Sequence, residues 1–377
     1  MSDAFRTAKD ILYGENALSG SVPKLAAFGK KAFIVTGKHV SKLGIFKGFL
    51  SSLENAGTRV HVFDGITGEP TGDMVELGAG EYRRCGADFL IGFGGGSPID
   101  AMKAIAAVPR LNGEIAAMPK TAAIPTTAGT GSEVTKFAVI TDSATDTKML
   151  LKDELLIPDL AVVDPACTVS SPSSVTASAA LDALTHAAEA YTSRKAQPLT
   201  DTLALSAVRR IFTYLPKAYQ NGCDLSARHE LSLAALEAGM CINNSSVTLV
   251  HGMSRPIGAL FHVPHGVSNA MLLPACMAFA ADGAYGRFAA LGRTIGLTGD
   301  NDAAVSRAFA AALQTLCADC GIPSLESFGV PKEIFFTKID KMSDDALASG
   351  SPANTVKTVT KGDILALYRS LWPSPVH

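Results

Sequence analysis

The chain has 377 residues, 47% hydrophobic and 18% charged, with a mean hydropathy of +0.22, which excludes an intrinsically disordered protein. Its 33 basic and 35 acidic residues leave a formal net charge of −2 and provide no basic surface for nucleic acid or an anionic membrane. No apolar run reaches the roughly 20 residues that cross a bilayer, the start Met1-Ser2-Asp3-Ala4-Phe5-Arg6 lacks the apolar segment of a secretory signal, and seven scattered cysteines read as reduced thiols of a cytoplasmic protein.

Up to about residue 165, short apolar runs alternate with helical stretches. Ala32-Phe33-Ile34-Val35-Thr36 reads as a strand and 42–56 as a helix. A strand over 58–63, a helix over 74–85, a strand over 88–93, a helix over 98–107 and a strand over 122–125 follow. Strands alternating with helices imply a parallel sheet with covered faces. Segments 137–141 and 148–152 suggest a short hairpin. After about residue 175 the strand signals stop. Helices are predicted over 175–193, 198–219, 225–255, 267–282, 284–296, 302–320 and 360–371. The expected organisation is an α/β domain over 1–175 and an all-α domain over 176–377, with a ligand in a cleft between them. Cys317 and Cys320 read as helix residues one turn apart rather than a zinc pair, and the overlapping sequons at Asn243 and Asn244 as chance.

Two loops carry phosphate-binding chemistry. Gly94-Gly95-Gly96-Ser97 follows the strand over 88–93 and opens a helix whose first turn holds Pro98. Glycines admit close approach of an oxyanion, and a helix N-terminus favours negative charge. The loop is neither a G-x-G-x-x-G fingerprint nor a P-loop, so by itself it reads equally as a tight turn. Thr126-Thr127-Ala128-Gly129-Thr130-Gly131-Ser132-Glu133 also follows a strand. Two such loops at neighbouring strand ends fit a nucleotide site at the carboxyl edge of an α/β sheet.

A second constellation lies in the helical half. Asp182 and His186 are four apart and share a helix face. His251 lies near the end of an apolar helix, and His265 stands in Pro264-His265-Gly266. One carboxylate and three imidazoles suit a first-row divalent metal, although each histidine alone reads as well as a satisfied polar residue.

These segments occur together with Lys103 and Asp100, with Ile157-Pro158-Asp159 through Asp164-Pro165, and with Glu189-Ala190-Tyr191. In this order the sequence resembles the iron-containing (group III) alcohol dehydrogenases, which share the dehydroquinate synthase-like fold. The resemblance implies an N-terminal α/β dinucleotide-binding domain and an all-α metal-binding domain. It implies Asp182, His186, His251 and His265 as ligands of Fe(II), a set that zinc also fits. It implies Gly94, Gly95, Gly96 and Ser97 as the pyrophosphate loop of NAD or NADP, Asp100 as its brace, Thr126, Thr127 and Thr130 as further cofactor contacts, and Lys148 near the nicotinamide. The implied activity is NAD(P)-linked alcohol dehydrogenation or aldehyde and ketone reduction on a small molecule, in a homodimer. A lyase of the same fold and a non-catalytic nucleotide-binding regulator are the rival readings.

Two positions depart from the family pattern. Where an acidic residue commonly meets the adenosine ribose stand Gly37 and Lys38, a change that suits NADP, or a plain turn beside a solvated lysine. Where many members have a second histidine four residues after the ligand stands Arg255, which stays charged and cannot act as a base. Arg255 suits a carboxylate, sulfonate or phosphate on the substrate, or else pairs with a protein carboxylate or the cofactor. In the latter case the chain is a general short-chain alcohol dehydrogenase. Proton transfer then falls to His262 or to a chain of ribose hydroxyl and water.

Overall fold

The structure, a computed structural model, describes residues 3–142 and 147–372. Met1 and Ser2, with which the N-terminal stretch begins, lie outside the described residues. The chain divides into one unit over Arg6–Ser171 and a second from Pro172 onward that also takes in the residues before Arg6.

In the first unit the strands are β1 (Asp10–Tyr13), β2 (Lys31–Val35), β3 (Arg59–Phe63), β4 (Phe89–Gly94), β5 (Lys120–Pro125), β6 (Phe137–Asp142), β7 (Thr147–Lys152) and β8 (Leu160–Val163). The helices are α1 (Ala17–Ala26), α2 (Gly44–Asn55), α3 (Gly72–Cys85) and α4 (Gly96–Leu111). Six strands form one parallel sheet in the order β1-β8-β5-β4-β2-β3, and β6 pairs with β7 antiparallel as the expected hairpin. The register sets Ile34 beside Ile91 and Ile91 beside Ala122. Successive side chains of a strand point to opposite faces, so a sheet covered on both sides needs strands that are apolar throughout. Strand β4 meets that demand, with all six residues buried. Ile34, Phe89, Ile91 and Phe93 pack with Leu25 of α1 and with Phe46, Phe49 and Leu53 of α2. Phe33, Val35 and Leu90 face the other way, onto Val75 and Ala79 of α3 and Met102 and Ile105 of α4. Each such fully buried side chain contributes about 1.5–3 kcal/mol. From β2 the chain runs outward to β3, and from β4 it runs to β5 on the other side. The carboxyl ends of β2 and β4 therefore flank the point where the winding reverses, which is where open α/β sheets take ligands.

In the second unit the helices are α5 (Ser173–Thr192), α6 (Pro198–Gln220), α7 (Leu225–Asn244), α8 (Leu249–Phe261), α9 (His265–Ala280), α10 (Tyr285–Thr294), α11 (Asp302–Asp319), α12 (Leu325–Phe328), α13 (Lys332–Ala348) and α14 (Lys361–Ser370). Helix α5 is central and buried continuously from Ala180 to Thr192. Its alanines at 177, 180, 183, 187, 188 and 190 are small enough for α6, α7 and α9 to pack closely against it. Among the described residues no helix is long and apolar enough to cross a membrane.

The expected single helix over 225–255 is two helices, broken at Ser245–Thr248. The break is held from a distance. The Asn354 amide donates to Ser246 Oγ and to the Val247 carbonyl, while the Glu189 carboxylate accepts from Thr248 Oγ1 and the Val250 amide. All seven cysteines are free; Cys317 lies in α11 and Cys320 is the residue that closes it.

Candidate functional site

Asp182 and His186 project from the buried helix α5, His251 from α8, and His265 is the first residue of α9. One ligand atom from each lies within 4.8 Å of all the others. Asp182 Oδ1 is the common neighbour, at 3.8 Å from His186 Nε2, 4.0 Å from His251 Nε2 and 3.6 Å from His265 Nε2. Donors about 2.1 Å from a shared tetrahedral ion stand roughly 3.4 Å apart, so the cluster is close to ligating geometry. Gly266 makes the approach of α9 to α5 possible, because a Cβ there would stand 2.4 Å from the Ser178 carbonyl oxygen.

Two residues outside the expected set shape this cluster. Glu189 is fully buried one turn below His186, and its Oε2 lies 2.5 Å from His251 Nδ1. A carboxylate on Nδ1 fixes the proton there and leaves the Nε2 lone pair facing Asp182. Burial, reinforced by the His186 and His265 rings, pulls the His251 imidazole well below its ordinary pKa, so it is the neutral form that a metal requires. Asn269 is the second. Its Nδ2 lies 2.7 Å from Asp182 Oδ1, 3.3 Å from His251 Nε2 and 3.1 Å from His265 Nε2, while its buried Oδ1 has no hydrogen-bond partner. Two N–H bonds cannot serve three converging acceptors. Lone pairs under-supplied with donors in a buried pocket are what a cation site looks like without its cation. Burial raises the Asp182 pKa, but the three imidazoles and the Asn269 amide outweigh it and hold the carboxyl below its usual range.

Arg255 stands one turn beyond His251 on α8, part-buried, with Nη1 3.3 Å from Ser351 Oγ. His262 is exposed and closes α8 in the left-handed region, at φ 54°. Among the described residues its ring makes no hydrogen bond with the cluster.

In the α/β unit the two expected loops meet. The Thr126 amide donates to the Gly94 carbonyl at 2.9 Å. A Cβ on Gly96 would strike Thr130 Cγ2 at 2.8 Å, and one on Gly95 would touch Thr127. Gly95, Gly96 and Ser97 are part-exposed at the start of α4, where the first N–H groups lack intrahelical partners. Such a bare N-terminus beside hydroxyls fits a pyrophosphate. Asp100 ties the parts together, accepting from Ser132 Oγ at 2.5 Å and from the Val139 amide at 3.0 Å.

Beneath the loops lie two buried ionisable residues, Lys103 and Glu133, absent from the expected set. Lys103 Nζ donates to the carbonyls of Thr135 and Phe137, both at 2.8 Å, and burial lowers its pKa to about 8. Burial raises Glu133 to about 7, and its Oε2 has no hydrogen-bond partner. A carboxyl easier to protonate in the folded chain loses stability as pH rises from its ordinary 4.5 through 7. Stability is therefore expected to fall between pH 5 and 8 by up to about 3 kcal/mol, and Glu133→Gln should flatten that slope in urea melts at the two pH values. An equal slope in the variant would assign it elsewhere.

Gly37 lies at the end of β2, bridged to Gly65, and a Cβ there would stand 2.9 Å from the Ile66 carbonyl oxygen. An acidic side chain does not fit at this position without a backbone shift. Lys38 is exposed, and its carbonyl accepts from Ser41 Oγ. The same hydroxyl lies 3.3 Å from Asp64 Oδ2, a carboxylate brought here from the end of β3. Lys148, on β7, is held by Glu69 at 2.7 Å.

Family models for "Iron-containing alcohol dehydrogenase" and "Fe-containing alcohol dehydrogenase family, C-terminal" match residues 8–165 and 176–372. An "NADPH-dependent butanol dehydrogenase" of Clostridium saccharobutylicum is 33% identical over 98% of this chain and 97% of its own length. An "NAD-dependent methanol dehydrogenase" of Bacillus methanolicus is 33% identical over 95% of this chain and 96% of its own. The crystal structure of a 1,3-propanediol oxidoreductase superposes with a TM-score of 0.94 at 32% identity, covering 99% of this chain and 100% of that one. The chain belongs to the iron-containing alcohol dehydrogenase family of NAD(P)-dependent oxidoreductases.

Proposed function

We propose that Asp182, His186, His251 and His265 together hold one divalent metal ion, Fe(II) or in its place zinc, within a helical domain over 176–377. The observation that carries this reading is the convergence of three acceptor atoms on the Asn269 amide beside a histidine whose tautomer Glu189 fixes. In the α/β domain over 1–175, Gly94, Gly95, Gly96 and Ser97 would receive the pyrophosphate of NADP or NAD. Thr126, Thr127 and Thr130 line the same turn, and Asp100 holds it in shape. Lys148, paired with Glu69, is assigned to the nicotinamide end of the cofactor.

When bound, the cation supplies a Lewis acid for the carbonyl or alcohol oxygen, and the nicotinamide supplies or accepts the hydride. The chain's own residues do the rest. Asp182 contributes the negative charge that keeps a cation among buried imidazoles. Glu189 keeps the His251 proton on Nδ1. His262 is assigned as the group that delivers the alcohol's proton to solvent. Asparagine also tolerates the left-handed cap conformation, so His262→Asn tests this without breaking the helix end. An unchanged pH profile of kcat would overturn it in favour of the ribose and water relay.

The decisive experiment loads metal-free protein with Fe(II) anaerobically and follows NADPH or NADH oxidation with butanal. Stoichiometric oxidation is expected. Metal and nucleotide binding with no oxidation of the nucleotide would support the regulator instead. For the nucleotide we infer a preference for NADP(H), supported by Gly37 and the cation of Lys38. A kcat/KM favouring NADH by roughly tenfold, about 1.4 kcal/mol, would overturn it and assign the ribose to Asp64. We also infer a cytoplasmic homodimer. The free cysteines support the first, and the exposed Val139, Met149 and Leu150 of the hairpin support the second. A monomeric mass in light scattering would remove the dimer.

A further inference from the structure

Arg255 carries a charge that the fold leaves without a counterion. Its guanidinium is part-buried on α8, and its described hydrogen bond goes to a neutral hydroxyl, Ser351 Oγ, at the long distance of 3.3 Å. Among the described residues no carboxylate comes within ion-pair distance. Glu189 acts on it through space, but that carboxylate is already occupied by Thr248 Oγ1, the Val250 amide and His251 Nδ1. Burial makes the charge harder to hold, yet arginine keeps its proton in proteins. A part-buried guanidinium with most of its five donors unmet is costly unless something else pairs with it.

Its place narrows what that partner is. Arg255 follows His251 by four residues, so both project from one side of α8, about 6 Å apart along the axis. A short chain whose reacting carbon lies at the four-residue cluster would bring its far end to Arg255. A guanidinium fork matches the two oxygens of a carboxylate, or two of three in a sulfonate or phosphonate.

We infer that Arg255 is the specificity-determining residue of this enzyme, pairing with an oxyanion at the far end of a short aldehyde or alcohol substrate. The inference rests on the proposed metal site at Asp182, His186, His251 and His265. It replaces a general alcohol dehydrogenase by one for semialdehydes, hydroxy acids and their sulfonate or phosphonate counterparts.

The test uses the Fe(II)-loaded enzyme with succinic semialdehyde and butanal, a four-carbon pair that differs in the terminal charge. In the wild type, kcat/KM for the semialdehyde should exceed that for butanal by roughly 10–100-fold, the range of a charged hydrogen-bonded contact. In Arg255→Met that ratio should collapse, and in Arg255→Lys it should fall part of the way, because the charge remains without the fork. Calorimetry adds a readout free of turnover. With NADPH present, 4-hydroxybutyrate should bind more tightly than butan-1-ol, and Arg255→Met should erase the difference. Equal kcat/KM for the two aldehydes in the wild type overturns the inference and leaves the alcohol dehydrogenase intact. A raised KM for the nucleotide in Arg255→Met, with the aldehyde ratio unmoved, also overturns it and assigns Arg255 to the cofactor. If neither aldehyde is reduced, the proposed function fails, and the calorimetric comparison alone decides the anion site.

Discussion

Asp182→Asn is expected to abolish tight metal binding and to lower kcat/KM for aldehyde reduction on the order of 10³-fold or more, since Lewis-acid stabilisation supplies several kcal/mol. Asp182 Oδ1 is the common neighbour of the three imidazole Nε2 atoms and the anionic member of the cluster. Asparagine keeps the shape and removes the charge. Three neutral imidazoles then remain, a softer set that holds a divalent iron less well. The carboxyl is held below its usual pKa range, so it stays ionised through neutral pH, and its contribution is lost only as pH falls through the lowered value. Metal content after gel filtration and NADPH oxidation with butanal check the prediction together. Wild-type metal stoichiometry with kcat/KM close to wild type would remove Asp182 from the ligand set.

What the sequence makes legible follows from how local each signal is. The run at 88–93 announces β4 because every residue of that strand is buried, and its glycine exit follows at once. Strands β1 and β8 escape notice because each has only four residues, and β1 is a partly exposed edge strand. Helix α1 starts at Ala17 behind Asn16, which sits in the left-handed region and makes no side-chain cap, and it contains Pro23, so an internal proline offsets the asparagine start signal. The break between α7 and α8 is invisible because Glu189 and Asn354, which enforce it, lie far away in sequence. The site divides in the same way. The Asp182/His186 spacing and Pro264-His265-Gly266 can be read directly. Glu189 is separated from His251 by 62 positions and Asn269 from Asp182 by 87, so their roles exist only once the helices pack. Asp64 and Glu69 fall on loops that carry no motif, and only the structure shows that one reaches Ser41 and the other Lys148.

Glu189 gives the sharpest separation between holding the fold and holding the metal. Its carboxylate accepts from Thr248 Oγ1 and the Val250 amide, both at 2.7 Å, and from His251 Nδ1 at 2.5 Å, all in the buried interior. Glu189→Ala leaves these donors unpaired and opens the start of α8, so a loss of about 3–5 kcal/mol in unfolding free energy is expected. Glu189→Gln behaves differently. Its amide oxygen still serves Thr248 and Val250, but its NH₂ faces the Nδ1 proton of His251. The cheapest relief moves that proton to Nε2, where it points at Asp182 and competes with the cation. Glu189→Gln should therefore keep most of the wild-type stability in a urea melt, yet lose roughly 10–100-fold in metal affinity, the range for partners that orient a ligating histidine. Chelator competition on the folded variant measures that affinity directly. If Glu189→Gln binds Fe(II) as the wild type does, the carboxylate serves only to start α8, and the His251 tautomer is set by something other than Glu189.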